Sequence, residues 1–112
     1  MEKVAMTSPA PSSFAPDGQH EALPRAVAFL KVLGHEGRLE ILCFLIDGER
    51  SVGELIAATG ASQPAVSQQL MRLRAEGLVR TERRGKNVLY SIARPEIAKI
   101  VSALRDAFCA VP

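Results

Sequence analysis

The chain has 112 residues, of which 47% are hydrophobic, 23% charged and 4% aromatic. This length fits one modest hydrophobic core, which aliphatic side chains must build. The sequence contains neither an apolar run that could span a bilayer nor a basic-then-apolar leader, so we expect a cytoplasmic protein without a membrane partner. The only two cysteines, Cys43 and Cys109, are then expected to be free thiols in a reducing compartment.

The chain begins with a segment that has no apolar period. Residues 1–19 are rich in Pro, Ser, Ala and Thr, which predicts a flexible tail before one folded domain at residues 20–112. In that domain, a first helical stripe begins at Leu23 and ends before Gly34. A second helix runs to Ile46, and its two apolar faces predict that it is largely buried.

Two short helices come next, and each has a clear start signal. Ser51 and Glu54 have the spacing of a capping box, which opens a third helix that stops at Gly60. Ser62 is a suitable N-cap for a fourth helix, and Pro64 fits its first turn. Two short helices joined by a tight glycine-containing turn are typical of a helix-turn-helix. The inner stripe of the fourth helix is Val66, Leu70 and Leu73.

The apolar pattern changes after Gly77 from helical spacing to alternation, which predicts two strands. The tetrapeptide from Arg84 to Asn87 supplies the hairpin turn between them, and Pro95 opens a last helix that ends near Phe108. The order helix, helix, short helix, helix, hairpin, helix predicts a winged helix-turn-helix. This fold is mainly α, with five helices and a two-stranded β-hairpin, the wing, before the last helix.

The distribution of charge points to a polyanionic partner. Residues 62–87 contain six basic and two acidic side chains, a net charge of +4, although the whole chain carries only +2. The second helix of a helix-turn-helix lies in the major groove of DNA, where Gln, Ser and Arg pair with base edges, while basic side chains of a wing reach phosphates. The predicted contacts with double-stranded DNA are Ser62, Gln63, Pro64, Ala65, Ser67, Gln68 and Arg72 in the helix, and Arg83, Arg84 and Lys86 in the wing.

The same residues resemble a known family, the ArsR/SmtB repressors. The resemblance runs from about Leu23 to Cys109 and implies a non-enzymatic repressor that releases operator DNA on sensing a chemical signal. Apolar stripes on the first and last helices independently favour a homodimer formed through these two helices. Four segments carry the resemblance: residues 35–42, 51–55, 62–70 and 73–79. In the first of them, Glu36 replaces the usual Pro of the family's His-Pro-x-Arg-Leu motif.

Metal ions are the usual signal in this family, but the ligands are missing here. A zinc-type site needs about four Cys, His or carboxylate ligands. The third helix has Ser51 and Gly53 where metal-sensing members carry a Cys-x-Cys pair, and the last helix has no histidine. We therefore expect no metal site and no cofactor, and we interpret His35 as a helix-capping or turn residue.

Cys43 and Cys109 remain as candidates for the sensor. Taken alone, Cys43 fits a small core residue and Cys109 an idle thiol near the terminus. The pair, however, resembles the sulfide-responsive SqrR/BigR branch of the family, with one cysteine in helix two and one at the end of the last helix. That resemblance implies redox-sensing thiols joined by a sulfur bridge, with reactive sulfur species as inducer.

Several alternatives stay open on the sequence. The sulfur bridge is either a disulfide or a polysulfide. The signal that the repressor senses could instead be a metal ion or a general oxidant. A winged helix that contacts other proteins and binds no DNA is a different class of function. A dithiol oxidoreductase is disfavoured, because the sequence has no Cys-x-x-Cys motif.

Overall fold

The computed structural model describes residues 21–109, and the predicted tail at residues 1–19 lies outside them. In the described range, no helix combines the length and the apolar character needed to cross a membrane. The helices are α1 (Ala22–Leu33), α2 (Glu36–Ile46), α3 (Val52–Thr59), α4 (Gln63–Ala75) and α5 (Pro95–Phe108). The strands are β1 (Arg50–Ser51), β2 (Val79–Arg84) and β3 (Asn87–Ile92).

The backbone divides after Val32 into two compact units. The described part of the first unit consists of α1 up to that residue. Its predicted apolar stripe is largely solvent-exposed, because Leu23, Val27 and Leu30 keep 54%, 41% and 59% of their surface accessible. The boundary of the predicted domain at residues 20–112 stays a prediction.

The second unit has an aliphatic core, as the scarcity of aromatic residues predicts. The inner stripe predicted for α4 is confirmed, since each of its three side chains is at most 1% exposed. Burial of one such side chain stabilises the fold by about 1.5–3 kcal/mol. Among the described residues of this unit, the buried apolar side chains are Leu33, Ile41, Leu42, Leu45, Leu55, Val66, Leu70, Leu73, Leu78, Val79, Ile97 and Val101.

The wing is part of a three-stranded antiparallel sheet of order β1-β3-β2. Val79 pairs with Ile92 and Arg84 with Asn87, so the predicted hairpin turn is confirmed as a two-residue loop. Gly85 in that loop has φ 62°, a left-handed conformation that glycine adopts without strain. Strand β1 was not predicted, because two residues are too short to show alternation. It joins the start of α3 to the wing through β3.

Candidate functional site

The two helices of the helix-turn-helix are fixed by side-chain caps. Ser51 Oγ accepts a hydrogen bond from the Glu54 amide at 3.1 Å, and Glu54 Oε1 accepts one from the Ser51 amide at 2.8 Å, so the predicted capping box is confirmed. Gly60 ends α3 with φ 74°. Thr59 also holds the turn, since its hydroxyl donates to Leu55 O and accepts from the Ala61 amide. These bonds set the position of α4 relative to α3.

The outer face of α4 carries the predicted base contacts. Ser62 caps the helix as predicted, and its Oγ accepts from the Ala65 amide at 3.3 Å. A capped N-terminus with Pro64 in the first turn gives α4 a rigid start. All seven predicted side chains reach the surface: Ser62, Gln63, Pro64, Gln68 and Arg72 are exposed, and Ala65 and Ser67 are half-buried.

Arg72 has a carboxylate partner that the site prediction did not include. Its Nε donates to Glu76 Oε2 at 3.1 Å, one helical turn further along the chain. Such exposed i,i+4 pairs stabilise a helix by only about 0.3–0.5 kcal/mol, so a stronger anion can displace the carboxylate. The i,i+4 spacing of the two residues was the signal that could have revealed the pair.

The wing tip has three exposed basic side chains, Arg83, Arg84 and Lys86. Arg84 is engaged by two carboxylates: Nη1 donates to Glu49 Oε2, and Nη2 donates to Glu82 Oε1 at 3.4 Å. The hydrogen bond with Glu82 and the negative charges of Glu49 and Glu82 raise the pKa of Arg84. Arg84 stays protonated, but the two carboxylates partly compensate its positive charge, which sets it apart from the other two basic side chains.

His35 has the capping role predicted for it. It is the N-cap of α2, and its Nδ1 accepts a hydrogen bond from the Gly37 amide at 3.2 Å. Its Nε2 also lies 3.4 Å from the side-chain amide of Gln69 on α4. His35 therefore links the start of α2 to α4. Among residues 21–109, no three His, Cys, Asp or Glu side chains lie together in a group that could hold a metal ion.

The two thiols lie on helices that pack against each other, α2 and α5. Cys43 is half-buried on α2, and Cys109 is exposed as the C-cap of α5, where its amide donates to Arg105 O at 2.7 Å. Burial raises the pKa of Cys43, the charge of Arg105 lowers it, and the charge of Cys109 raises it further. Arg105 also pairs with Asp47, at the end of α2, at 3.6 Å. The charge state of Cys109 therefore influences the ionisation of Cys43, and the Arg105–Asp47 ion pair joins the same two helices.

Comparison with known proteins places this architecture in a family. The family model described as bacterial regulatory protein, arsR family, matches residues 35–81. The transcriptional activator HlyU of Vibrio cholerae is 41% identical over 85 residues, which is 76% of this chain and 79% of the relative. The biofilm growth-associated repressor of Xylella fastidiosa is 46% identical over 81 residues, which is 72% of this chain and 71% of the relative. The chain belongs to the ArsR family.

Membership of the ArsR family also confirms the predicted fold class. The homodimeric winged helix-turn-helix DNA-binding domain from Mycobacterium bovis, a possible ArsR-family regulator, matches with a TM-score of 0.72 and 28% identity. The match covers 91% of this chain and 89% of that domain. Because the family and the two relatives are regulators, this ArsR chain is a helix-turn-helix transcriptional regulator and not an enzyme.

Proposed function

We propose that the chain represses transcription as a homodimer on operator DNA, and that a sulfur bridge between Cys43 and Cys109 releases it. One observation carries the DNA-binding part: α4 begins at a capped N-terminus and presents an exposed, mainly polar face, and a basic hairpin follows it. A bidentate side chain such as Gln68 or Arg72 can read a base edge, while a lysine such as Lys86 can neutralise a phosphate. Base recognition and charge neutralisation are therefore expected from different side chains.

Removal of a base-reading side chain and of a phosphate-binding side chain should have different effects. Gln68→Ala should lower discrimination between operator and random DNA by about 1–3 kcal/mol for each base pair no longer read. Lys86→Ala should weaken binding to both duplexes equally, and it should reduce the salt slope by about 0.9 for each phosphate that is no longer neutralised. Fluorescence anisotropy over a range of salt concentrations measures both quantities. If Gln68→Ala lowers the affinity for operator and for random DNA equally, the assignment of α4 to base recognition is wrong.

Glu49→Gln should strengthen binding to any DNA, because it frees Arg84 from one of its two carboxylate partners. The freed guanidinium can neutralise a phosphate, so the salt slope should steepen by about 0.9 per wing. Glu40→Gln is the matched control, since it removes the same charge from an exposed position on α2. If Glu49→Gln weakens binding and Glu40→Gln does not, the ion pair holds the wing in its binding position, and this prediction is wrong.

Homodimerisation would explain the exposed apolar side chains of two helices. On α1 they are Leu23, Val27 and Leu30, and on α5 they are Ile100 and Phe108, the latter 83% exposed. Apolar patches of this kind typically mark protein interfaces. The homodimeric state described for the Mycobacterium bovis domain supports the same assembly. A two-fold dimer would place two copies of α4 about one turn of DNA apart, on an inverted repeat.

Two features of the thiols support a bridge. Cys43 and Cys109 lie on packed helices, and the negative charge of a Cys109 thiolate raises the pKa of Cys43. Because the thiolate is the nucleophile and burial raises the pKa of Cys43, the exposed Cys109 should attack the inducer first. Cys43 should then resolve the product. A covalent link between α2 and α5 would couple the helix that precedes the helix-turn-helix to the proposed dimer interface.

The chemistry balances with a persulfide or polysulfide as oxidant. The Cys109 thiolate attacks a sulfane sulfur and forms a Cys109 persulfide; the leaving group is a thiolate when the oxidant is a persulfide, and hydrosulfide or a shortened polysulfide when it is a polysulfide. The Cys43 thiolate then attacks the Cys109 sulfur, which forms the disulfide and releases hydrosulfide. With hydrogen disulfide, two thiols and one oxidant give one protein disulfide and two molecules of hydrogen sulfide. With hydrogen disulfide, a bridge with one extra sulfur needs a second molecule, which converts Cys43 to a persulfide and releases hydrogen sulfide. The terminal sulfur of that persulfide then attacks the Cys109 sulfur, which forms the trisulfide and releases hydrosulfide.

One experiment tests the whole proposal. The reduced chain is used to select a duplex from a random pool, and anisotropy and intact mass are then measured before and after polysulfide treatment. We expect tight binding by the reduced chain, and release that coincides with an intramolecular bridge and reverses with dithiothreitol. A chain that binds no DNA at low salt would instead be a protein-interaction module. If zinc or peroxide releases the DNA and polysulfide does not, the chain is a sensor of metals or of general oxidants.

A further inference from the structure

One large apolar side chain lies outside the core on α4, the proposed recognition helix. Met71 is 68% exposed, whereas Val66, Leu70 and Leu73 on the same helix are at most 1% exposed. Single exposed hydrophobic residues are common on protein surfaces, so exposure alone does not assign a role. The position of Met71 on the helix supplies the second observation.

Met71 belongs to the face that is proposed to meet DNA. Pro64, Gln68 and Met71 have the spacing i, i+4, i+7, which places them in one row on a helix. All three side chains are exposed, on the side opposite the buried stripe. The row therefore has a hydrogen-bonding amide in its middle and an apolar group at each end. Such a face complements a major groove in which a thymine methyl lies beside a hydrogen-bonding base edge.

We propose that Met71 reads the C5-methyl group of a thymine next to the base pair contacted by Gln68. This inference rests on the proposed DNA-binding function. At 1.5 Å per residue, Met71 lies about 4.5 Å further along the helix than Gln68, which is close to one base-pair step of about 3.4 Å. Methionine is unbranched and flexible, so its thioether can follow the groove surface to the methyl group.

A thioether carries no charge, so its contribution must depend on sequence and not on salt. If Met71 buries the C5-methyl group of a thymine, removal of that methyl group from the DNA should weaken binding about fourfold per half-site. When both half-sites of a dimer are changed, the loss should be about fifteenfold. The neighbouring Arg72 and Arg74 differ in this respect, because an arginine that no longer neutralises a phosphate changes the salt slope. Met71 substitutions should leave that slope unchanged.

The test uses the full chain and an operator that the wild-type chain selects from a random pool. Each thymine is replaced in turn by deoxyuridine, which lacks only the C5-methyl group. We expect one such replacement, made in both half-sites, to weaken wild-type binding about fifteenfold. The Met71→Ala and Met71→Gln variants should bind the original operator more weakly than the wild-type chain does. Their affinity should not change when that thymine is replaced by deoxyuridine. Met71→Leu, which keeps an apolar group, should retain part of the sensitivity.

The outcomes separate this inference from the proposed function. If the wild-type chain binds no DNA, the proposed function fails. If it selects an operator but no deoxyuridine replacement affects it, or the Met71 variants keep the full sensitivity, only the inference is overturned. An effect of Met71→Gln on sedimentation mass would place Met71 in a protein interface and would also overturn it. Thermal melting should be unchanged in all three variants, because the side chain is largely exposed.

Discussion

Cys43→Ser and Cys109→Ser should each bind operator DNA as the parent chain does and keep it when polysulfide is added. The parent chain should lose affinity by about 5–150-fold, the range of typical allosteric coupling. The reason is that only the parent chain can form a covalent link between α2 and α5, which constrains the two packed helices more tightly than the weak Arg105–Asp47 ion pair does. Anisotropy with a selected operator, before and after treatment, measures the change in affinity.

The two cysteine variants should also differ from each other in mass. Cys43→Ser should accumulate a persulfide on the exposed Cys109, whereas Cys109→Ser should remain largely unmodified, because burial raises the pKa of Cys43. Cys43→Ala serves as the control for weakened packing, since it removes the thiol without adding a hydroxyl. If any of these variants still releases DNA as the parent chain does, the bridge is not the switch.

The local elements could be predicted from sequence because their signals are local. The capping box of Ser51 and Glu54, the cap at Ser62 and the left-handed Gly60 each follow from a few adjacent residues. The inner stripe of α4 follows from helical periodicity alone. These features define a winged helix-turn-helix once their order is known. The resemblance to the ArsR family rests on the same segments.

The electrostatic partners could not be predicted because they depend on tertiary structure. Arg84 and Glu49 are 35 positions apart, and only the pairing of β1 with β3 carries the loop before β1 to the wing. The charge count from the sequence therefore treats Arg84 as a free basic side chain, although two carboxylates pair with it. Periodicity likewise identified the buried side of α4 but gave no reason to single out Met71 among the exposed positions.

The proposed dimer interface includes an exposed apolar row on α1. Leu30 is 59% exposed on α1, in the apolar row that also contains Leu23 and Val27. A charge at this position should leave the protomer folded but oppose burial of the row in an interface, since an unpaired buried charge is costly. Ala28 is also exposed on α1, about 160° around the helix from Leu30. It offers a position where the same charge should be harmless.

Leu30→Glu should therefore yield a folded monomer whose affinity for an inverted-repeat operator is lower by about 10²-fold or more, because one reading helix no longer raises the effective concentration of the other. Ala28→Glu adds the same charge and should remain dimeric with parental affinity. Sedimentation measures the assembly, circular dichroism the fold, and anisotropy the affinity. On a single half-site, the parent chain and the Leu30→Glu variant should bind more nearly alike, since only one recognition helix is used. A Leu30→Glu chain that stays dimeric and binds the full operator tightly would exclude this row of α1 from the interface.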